Sequence, residues 1–197
     1  MKIVFFRQLL LDTTTKEWSA SQQIVYSYLL SQSIMRIDCV FETNGENIDY
    51  KKITKDYCND GVIDLCDYHV NKVADMLNTT RQNVRLSIQF LRSAGYIQDE
   101  LIRCPEEIIR RGFFELKTNT ALTNQLLIFY SWLHDKAYSV IDGRSFNGVI
   151  DTLSYNIAKM FGTKDTNIRS MLSRLAKKDF VKRIATDDRR YGKLIIK

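Results

Sequence analysis

The chain has 197 residues, of which 45% are hydrophobic and 26% are charged, with a formal net charge of +6. This composition excludes a disordered chain, and no apolar run approaches the roughly 20 residues that a membrane helix needs. The charge is uneven: residues 1–104 hold 12 basic and 13 acidic residues, whereas residues 159–197 hold 12 basic and 4 acidic residues, a net +8. A basic segment of this kind is typical of a surface that binds a polyanion and equally of an ordinary solvated surface, so charge alone does not decide between them.

The first residues, MKIVFFRQLLLD, fit a first strand better than a signal peptide, because Arg7 interrupts the apolar run and no small-residue cleavage site follows. We therefore expect a cytoplasmic protein whose cysteines, at positions 39, 58, 66 and 104, are free thiols. Cys66 and His69 lie three residues apart, but the other ligands that zinc would need are scattered. The sequence thus predicts neither a metal site nor a cofactor.

An internal repeat organises the chain. Residues 73–97, VADMLNTTRQNVRLSIQFLRSAGYI, align without a gap with residues 157–181, IAKMFGTKDTNIRSMLSRLAKKDFV, at an offset of 84 (157 minus 73). IVYSYL at 24–29 also resembles IFYSWL at 128–133, and an apolar stretch precedes each, KIVFF at 2–6 and GFFEL at 112–116. We predict two related domains, residues 1–104 and 105–197, divided near the only proline, Pro105. The first domain has an acidic insert at about 34–66, since residues 36–67 hold eight acidic and four basic residues.

Within each copy the repeat predicts two helices joined by a tight turn. Apolar residues at i, i+3, i+4 and i+7 form the core-facing side of the first helix: Val70, Val73, Ala74 and Leu77. Asn78 and Gly162 at the turn tolerate a left-handed backbone, and Thr79 and Thr163 are the predicted N-caps. The second helix has its own apolar stripe, which is Val84, Ile88 and Leu91 in the first copy and Ile168, Leu172 and Leu175 in the second. Gly95 is predicted to end this helix in the first copy. Asp179 stands at the equivalent position in the second copy, where it is less favourable than glycine.

Short strands follow each helix pair. In the second copy, VKRI at 181–184 and KLIIK at 193–197 flank the polar loop ATDDRRYG at 185–192. A helix-turn-helix followed by a β-hairpin is a winged helix. The predicted fold is therefore α+β, mainly α with small β-hairpins, built from two winged helix-turn-helix domains in tandem.

The pattern resembles the winged-helix regulators and replication initiators of bacteria, plasmids and phages. SASQQIVYSYLL, followed by a polar insert and NKVADMLNTTRQNVRLSIQFLRSAGYI, is similar to the N-terminal domain of plasmid-type replication initiators over about residues 1–100. The resemblance implies a tandem arrangement in which one winged helix serves assembly and the other contacts DNA tightly. The same motifs occur in many transcription factors.

The second copy supplies the main candidates for DNA contact, because the second helix of this motif enters the major groove. On a helical wheel the outward positions of the helix at about 163–177 are Thr166, Arg169, Ser170, Ser173 and Arg174, flanked by Lys164 and Asn167. Arginine can bond guanine bidentately, and asparagine can bond adenine. Asp165 is the one negative charge among these residues. It could accept a hydrogen bond from cytosine, or it could interact favourably with the helix N-terminus. The wing would contribute Lys182, Arg183, Arg189, Arg190 and Lys193.

The first copy offers a secondary DNA-binding or interface surface. Its outward positions are Arg81, Gln82, Arg85 and Gln89, together with the large apolar residues Leu86 and Phe90. Two apolar side chains suit a groove-facing surface poorly, so they predict a homodimer or docking face unless the insert or the linker covers them.

Two functions remain open at this point. The first is a double-stranded-DNA-binding protein, either a transcriptional regulator or a replication initiator. The second is a winged-helix protein-interaction module that binds no DNA. Catalysis is not expected, because the two histidines, His69 and His134, form no paired metal motif and no Gly-rich phosphate loop is present.

Overall fold

The computed structural model describes residues 3–33, 67–77, 79–98, 101–102, 108, 112–117, 121–138, 140–141, 144–145, 147–185 and 192–197. These residues combine six α-helices with small antiparallel sheets, which confirms the predicted α+β class. They fall into two compact units, Met1–Asn124 and Gln125–Lys197. The predicted insert at 34–66, Pro105 and all four cysteines lie outside the described residues.

The first unit begins with strand β1 (Ile3–Phe6), as its apolar sequence predicts. Helix α1 (Ala20–Ser33) follows two 3₁₀ turns, Arg7–Leu10 and Thr15–Glu17. Beyond the insert lie α2 (Asp67–Met76), α3 (Arg81–Ser93), β2 (Ile97–Gln98), β3 (Leu101–Ile102) and β4 (Phe113–Leu116).

Helix α1 is the central helix of the first unit. A capping box begins it: the Ser19 backbone N–H donates to Gln22 Oε1 at 2.8 Å, and the Gln22 N–H donates to Ser19 Oγ at 3.3 Å. Every residue from Gln23 to Leu30 is buried. A helix that is buried on all sides is typical of a core element rather than of a surface helix with one apolar stripe.

Buried polar side chains hold the segment between β1 and α1. Gln23 Nε2 donates to the carbonyl oxygens of Leu9 and Thr15 at 3.2 and 2.8 Å, and Thr15 Oγ1 donates to Leu9 O at 3.1 Å. These bonds satisfy polar groups that would otherwise be costly to bury. The segment ends at Trp18, whose ring lies 5.5 Å from that of Tyr26 on α1.

Strand β1 pairs antiparallel with β4, from Ile3 opposite Leu116 to Phe6 opposite Phe113. The sequence comparison assigned the residues of β4 to the second domain, because GFFEL aligned with KIVFF as the start of a copy. The structure gives β4 to the first unit, which extends to Asn124 rather than to residue 104. The two similar apolar stretches are thus partners in one sheet.

The second unit has α4 (Asn124–Tyr138), whose first residue belongs to the first unit, and then a small hairpin of β5 (Val140–Ile141) and β6 (Arg144–Ser145). Next come β7 (Val149–Asp151), α5 (Ser154–Phe161), α6 (Asp165–Lys177), β8 (Val181–Ala185) and β9 (Gly192–Ile196). Strands β7, β9 and β8 form an antiparallel sheet in that order.

Helix α4 occupies the centre of this unit, as α1 does in the first. Its residues from Leu126 to Leu133 are buried, and Phe129 packs edge-on against Phe161 of α5, with ring centroids 5.1 Å apart. The hydroxyl of Tyr130 donates to Lys197 O, and that of Tyr138 donates to Ile196 O at 3.2 Å. These tyrosines fix the end of β9 against α4.

Candidate nucleic-acid interface

The same backbone hydrogen bond crosses the turn between the two helices in both copies. Gly162 has a left-handed backbone, with φ of 70°, and the Thr163 N–H donates to Ala158 O at 3.0 Å. In the first copy the Thr79 N–H donates to Ala74 O at 2.9 Å. The predicted turn is therefore confirmed at Gly162, while Asn78 lies outside the described residues. The turn sets where α6 begins relative to α5.

A threonine–asparagine hydrogen bond stabilises the start of each second helix. Asn167 Nδ2 donates to Thr163 Oγ1 at 3.1 Å, and Asn83 Nδ2 donates to Thr79 Oγ1 at 3.0 Å. The prediction that these threonines are N-caps is wrong by one residue, because the N-caps are Lys164 and Thr80. The hydroxyls of Thr163 and Thr79 accept from a side-chain amide instead of a backbone N–H. This bond accounts for the recurrence of both residue types in the repeat.

The C-terminal ends of the two helices also match. The Tyr96 N–H donates to Leu91 O at 2.9 Å, and the Phe180 N–H donates to Leu175 O at 3.0 Å, which is the Schellman arrangement. The left-handed position within it is Gly95 in the first copy, with φ of 75°, and Asp179 in the second, with φ of 63°. The predicted helix end is confirmed in both copies.

Helix α6 separates its side chains as the helical wheel predicted. Ile168, Met171, Leu172 and Leu175 are buried. The predicted contact residues are all exposed: Lys164, Thr166, Asn167, Arg169, Ser170, Ser173 and Arg174. Lys177 and Lys178, which the wheel did not select, are exposed beyond them and extend the positive charge to the end of the helix. Their basic character was the available signal.

The hairpin of β8 and β9 lies beside this helix. Lys182, Arg183 and Lys193 are exposed, whereas Arg189 and Arg190 lie outside the described residues. Arg183 Nη2 donates to the carbonyl oxygen of Arg169 at 3.3 Å, so the hairpin and α6 are joined at that residue. Lys193 Nζ lies 3.7 Å from Asp151 Oδ2 on the neighbouring strand β7. We name the exposed residues between Lys164 and Lys178, together with Lys182, Arg183 and Lys193, the basic surface.

Of the two roles considered for Asp165, the structure is consistent with the one at the helix N-terminus, since Asp165 is the first residue of α6. Its Oδ2 lies 2.7 Å from Arg169 Nε, four residues further along α6. Its Oδ1 is buried and has no hydrogen-bond partner among the described residues. The carboxylate therefore faces Arg169 and the protein rather than the solvent that a cytosine would replace. The i, i+4 spacing of Asp165 and Arg169 was the signal for this pair.

The corresponding face of α3 is mixed. Arg81, Gln82, Arg85 and Gln89 are exposed, and Leu86 is 50% exposed. Phe90 is half-buried, with its ring 5.5 Å from that of Trp18 in an edge-on contact. Trp18, which belongs to neither the insert nor the linker, therefore partly covers one of the two apolar residues of the predicted interface. The 3₁₀ segment brings Trp18 to this face, which the periodicity of α3 alone does not reveal.

Among the described residues, no three His, Cys, Asp or Glu side chains are grouped closely enough to hold a metal ion. His69 lies in α2, but its side chain and Cys66 are outside what the structure describes. None of the described helices has the length and apolar character needed to cross a bilayer. Comparison of the chain with protein-family models, with characterised proteins and with solved structures finds no match.

Proposed function

We propose that this protein binds double-stranded DNA through the basic surface of its second unit. The observation that carries the proposal is the hydrogen bond from Arg183 to the carbonyl oxygen of Arg169. It joins the exposed polar face of α6 to the positively charged hairpin, so that a helix and a wing form one continuous surface. A duplex offers matching features, a major groove that admits a helix and phosphates on either side of it.

The topology supports a winged helix for the second unit. Helix α4 and the small hairpin of β5 and β6 are followed by β7, by two helices joined by a left-handed turn and by the hairpin of β8 and β9, and β9 lies between β7 and β8. In helix-turn-helix proteins the second helix of the pair enters the major groove. Here that helix is α6, and its exposed side holds hydrogen-bonding side chains while its apolar side is buried.

The first unit supports the tandem arrangement less completely. It shares the helix pair, the threonine–asparagine bond and the Schellman ending. Its hairpin is short, since β2 and β3 pair over two residues each, whereas β8 and β9 pair over five. We propose that this unit is a modified winged helix with a smaller wing.

Charge supports contact with phosphates rather than with an uncharged partner. The exposed cations of α6, its two cap residues and β8 include Lys164, Arg174, Lys177, Lys178 and Lys182. Asp165, the acidic residue of α6, is already engaged by Arg169. Exposed cations attract the phosphate backbone and release its counterions on binding.

The direct test is the salt dependence of binding to a labelled duplex of random sequence, measured by fluorescence anisotropy. The affinity should fall steeply with salt, with a log–log slope of about −0.9 for each phosphate neutralised. Arg174→Ala should weaken binding, whereas Arg92→Ala, which removes an exposed arginine from the last turn of α3, should not. No binding at low salt, or a slope of zero, would contradict the proposal.

The biological process is a further step of the same proposal, because regulators and initiators differ in the DNA that they bind. Selection of bound fragments from the DNA of the source organism would give a site that overlaps a promoter for a regulator. A set of iterated repeats at an origin would instead identify a replication initiator.

A second candidate is a protein contact of the first unit, with a homodimer as its simplest form. The observation that favours it is Leu86, a large apolar side chain that is 50% exposed on α3. Sedimentation equilibrium tests it: Leu86→Ser should lower the average mass towards that of the monomer, while Leu153→Ser, which changes an exposed leucine of the second unit, should not. If Leu86→Ser leaves the mass unchanged, this face makes no such contact.

A further inference from the structure

The side chain of Arg169 is exposed and yet held in place. It is 67% exposed, and its Nε lies 2.7 Å from Asp165 Oδ2 one turn earlier in α6. A guanidinium is a planar fork with five N–H donors, of which Nε supplies one. The bond to Asp165 uses this inner donor and leaves the two terminal nitrogens of the fork for a ligand.

The bond to Arg169 is the interaction that the structure shows for the carboxylate of Asp165. Its side chain is only 26% exposed, and its Oδ1 is buried without a hydrogen-bond partner among the residues that the structure describes. Asp165 Oδ2 holds the guanidinium of Arg169, while the buried Oδ1 is not presented to a ligand that approaches from solvent. The pair also spans the first turn of α6, the part of a groove-binding helix that lies nearest to the bases.

The backbone of Arg169 is fixed as well. Arg183 Nη2 donates to the carbonyl oxygen of Arg169 at 3.3 Å from the adjacent strand β8. Arg169 is therefore constrained at both ends, at its backbone by the hairpin and at its guanidinium by Asp165. Constraint before binding lowers the entropy cost of ordering a long side chain at an interface.

The equivalent positions in the first unit lack this arrangement. Asp165 and Arg169 correspond to Arg81 and Arg85 in the repeat, so a second cation stands where α6 has the carboxylate. Like charges four residues apart on a helix repel each other rather than hold each other in place. The pairing of an aspartate with an arginine at these two positions is therefore a feature of the second copy, which also holds the basic surface.

From these contacts we infer that Arg169 reads a guanine in the major groove and that Asp165 is the positioning residue that aims its terminal nitrogens at that base. Guanine presents two acceptors, O6 and N7, and a bidentate arginine satisfies both. The inference rests on the proposed DNA binding and deepens it by naming one base and one residue pair.

The test is selection of bound sequences from a random duplex library by the full chain and four variants. Arg169→Ala should abolish the guanine preference at one position and lower affinity for the selected site about 5- to 150-fold. Asp165→Asn is isosteric and should weaken that same preference. Because Arg169 would then have to be ordered on binding, the affinity for the site should fall roughly 2- to 12-fold. Asp165→Ala should behave in the same way and removes any bond that the asparagine amide could still make.

The matched control is Asp179→Asn. It also removes one negative charge from the second unit, at an exposed residue whose partner is Lys197. Because both substitutions make the unit more positive by the same amount, their effects on non-specific binding should agree, and only the Asp165 variants should alter the base preference. Thermal unfolding of each variant confirms that the fold is retained.

The outcomes separate this inference from the proposal on which it rests. If wild-type protein selects a site and Arg169→Ala keeps the same guanine preference, or Asp165→Asn, Asp165→Ala and Asp179→Asn all keep it unchanged, the inference is overturned and DNA binding stands. If wild-type protein binds no duplex at low salt, both are overturned.

Discussion

Gly148 shows how closely the second unit is packed around one residue. Its φ is +80°, in the left-handed region that L-residues avoid, and a Cβ added there would lie 2.7 Å from Tyr138 Oη. Gly148→Ala should therefore lower the free energy of unfolding by more than the 1–2 kcal/mol or so that a left-handed backbone costs alone, because Tyr138 must also give up its bond to Ile196 O. Urea denaturation followed by circular dichroism measures this change.

The control for this prediction is Gly95→Ala in the first unit. Gly95 has a similar φ of +75°, but nothing lies within 4 Å of the Cβ that would be added. It should show the backbone cost without the clash. If the two substitutions cost the same, the contact with Tyr138 contributes nothing to the role of glycine at position 148.

Tyr130 makes the stability of the second unit sensitive to alkali. Burial raises the pKa of its hydroxyl above the ordinary 10.0, and the neighbouring Tyr138 raises it further. Between the ordinary and the raised pKa the unfolded chain loses the proton and the folded chain keeps it. The contribution of Tyr130 is therefore complete below pH 10.0 and is lost as the pH rises through the folded value.

Tyr130→Phe removes both the titration and the bond to Lys197 O. At neutral pH the variant should be less stable by about 0.5–1.5 kcal/mol, the usual net value of one hydrogen bond, and the difference from wild type should shrink above about pH 10. Urea denaturation across this range measures it. Tyr155→Phe, a change at a side chain that is 65% exposed, is the control, and an equal narrowing there would contradict the assignment to Tyr130.

At the level of whole elements, the end of α6 adopts a conformation that its sequence does not favour. Asp179 occupies the left-handed position of the Schellman ending with φ of 63°, where the first copy has Gly95. Asp179→Gly should raise the stability by roughly 0.5–1 kcal/mol, since a relieved left-handed backbone outweighs a surface ion pair worth about 0–1 kcal/mol. The midpoint of thermal unfolding reports the change.

Asp179→Ala distinguishes the two contributions at this helix end. It loses the pair with Lys197 but keeps a Cβ in the left-handed region, so it should be less stable than both wild type and Asp179→Gly. Equal losses in the alanine and glycine variants would mean that the ion pair, not the backbone, governs this helix end.

Phe90 and Leu86 test how α3 is packed. Phe90 is half-buried against Trp18, whereas Leu86 is 50% exposed. Phe90→Ala should therefore destabilise the first unit by about 1–1.5 kcal/mol, roughly half the value for a fully buried side chain, and Leu86→Ala should change stability by less than about 0.5 kcal/mol. Chemical denaturation of the two variants compares them directly, and a loss at Leu86 as large as that at Phe90 would place both residues in the core.

These elements also show what sequence reasoning can and cannot supply. The exposed and buried sides of α6 were predictable, because a helical period of 3.6 residues assigns each position to a face. The pairing of β1 with β4 was not, since it joins Phe6 to Phe113 across most of the first unit. Likewise the contact of Phe90 with Trp18 depends on the path of an irregular segment that no periodicity describes.

Across the whole molecule, charge divides the two units more sharply than their shared motif does. Residues 125–197 hold 14 basic and 7 acidic residues, a net +7, and the remaining 15 basic and 16 acidic residues give residues 1–124 a net −1. The repeat therefore preserves a fold pattern while the charge differs between its copies. A polyanion should therefore bind the second unit more tightly than the first, although the helix pairs of the two units align in sequence.

The salt dependence of DNA binding should consequently come from the second unit. Lys164→Ala with Lys182→Ala removes two exposed cations from the basic surface, and it should reduce the log–log salt slope by about 1.8, or 0.9 for each phosphate that is no longer neutralised, while weakening binding to all sequences. Arg81→Ala with Arg85→Ala removes the same charge from the equivalent helix of the first unit and should leave the slope unchanged. Anisotropy titrations at a series of salt concentrations compare the two double variants. Equal reductions would mean that both units contact phosphates, and a larger reduction from the arginine pair would assign the DNA surface to the first unit.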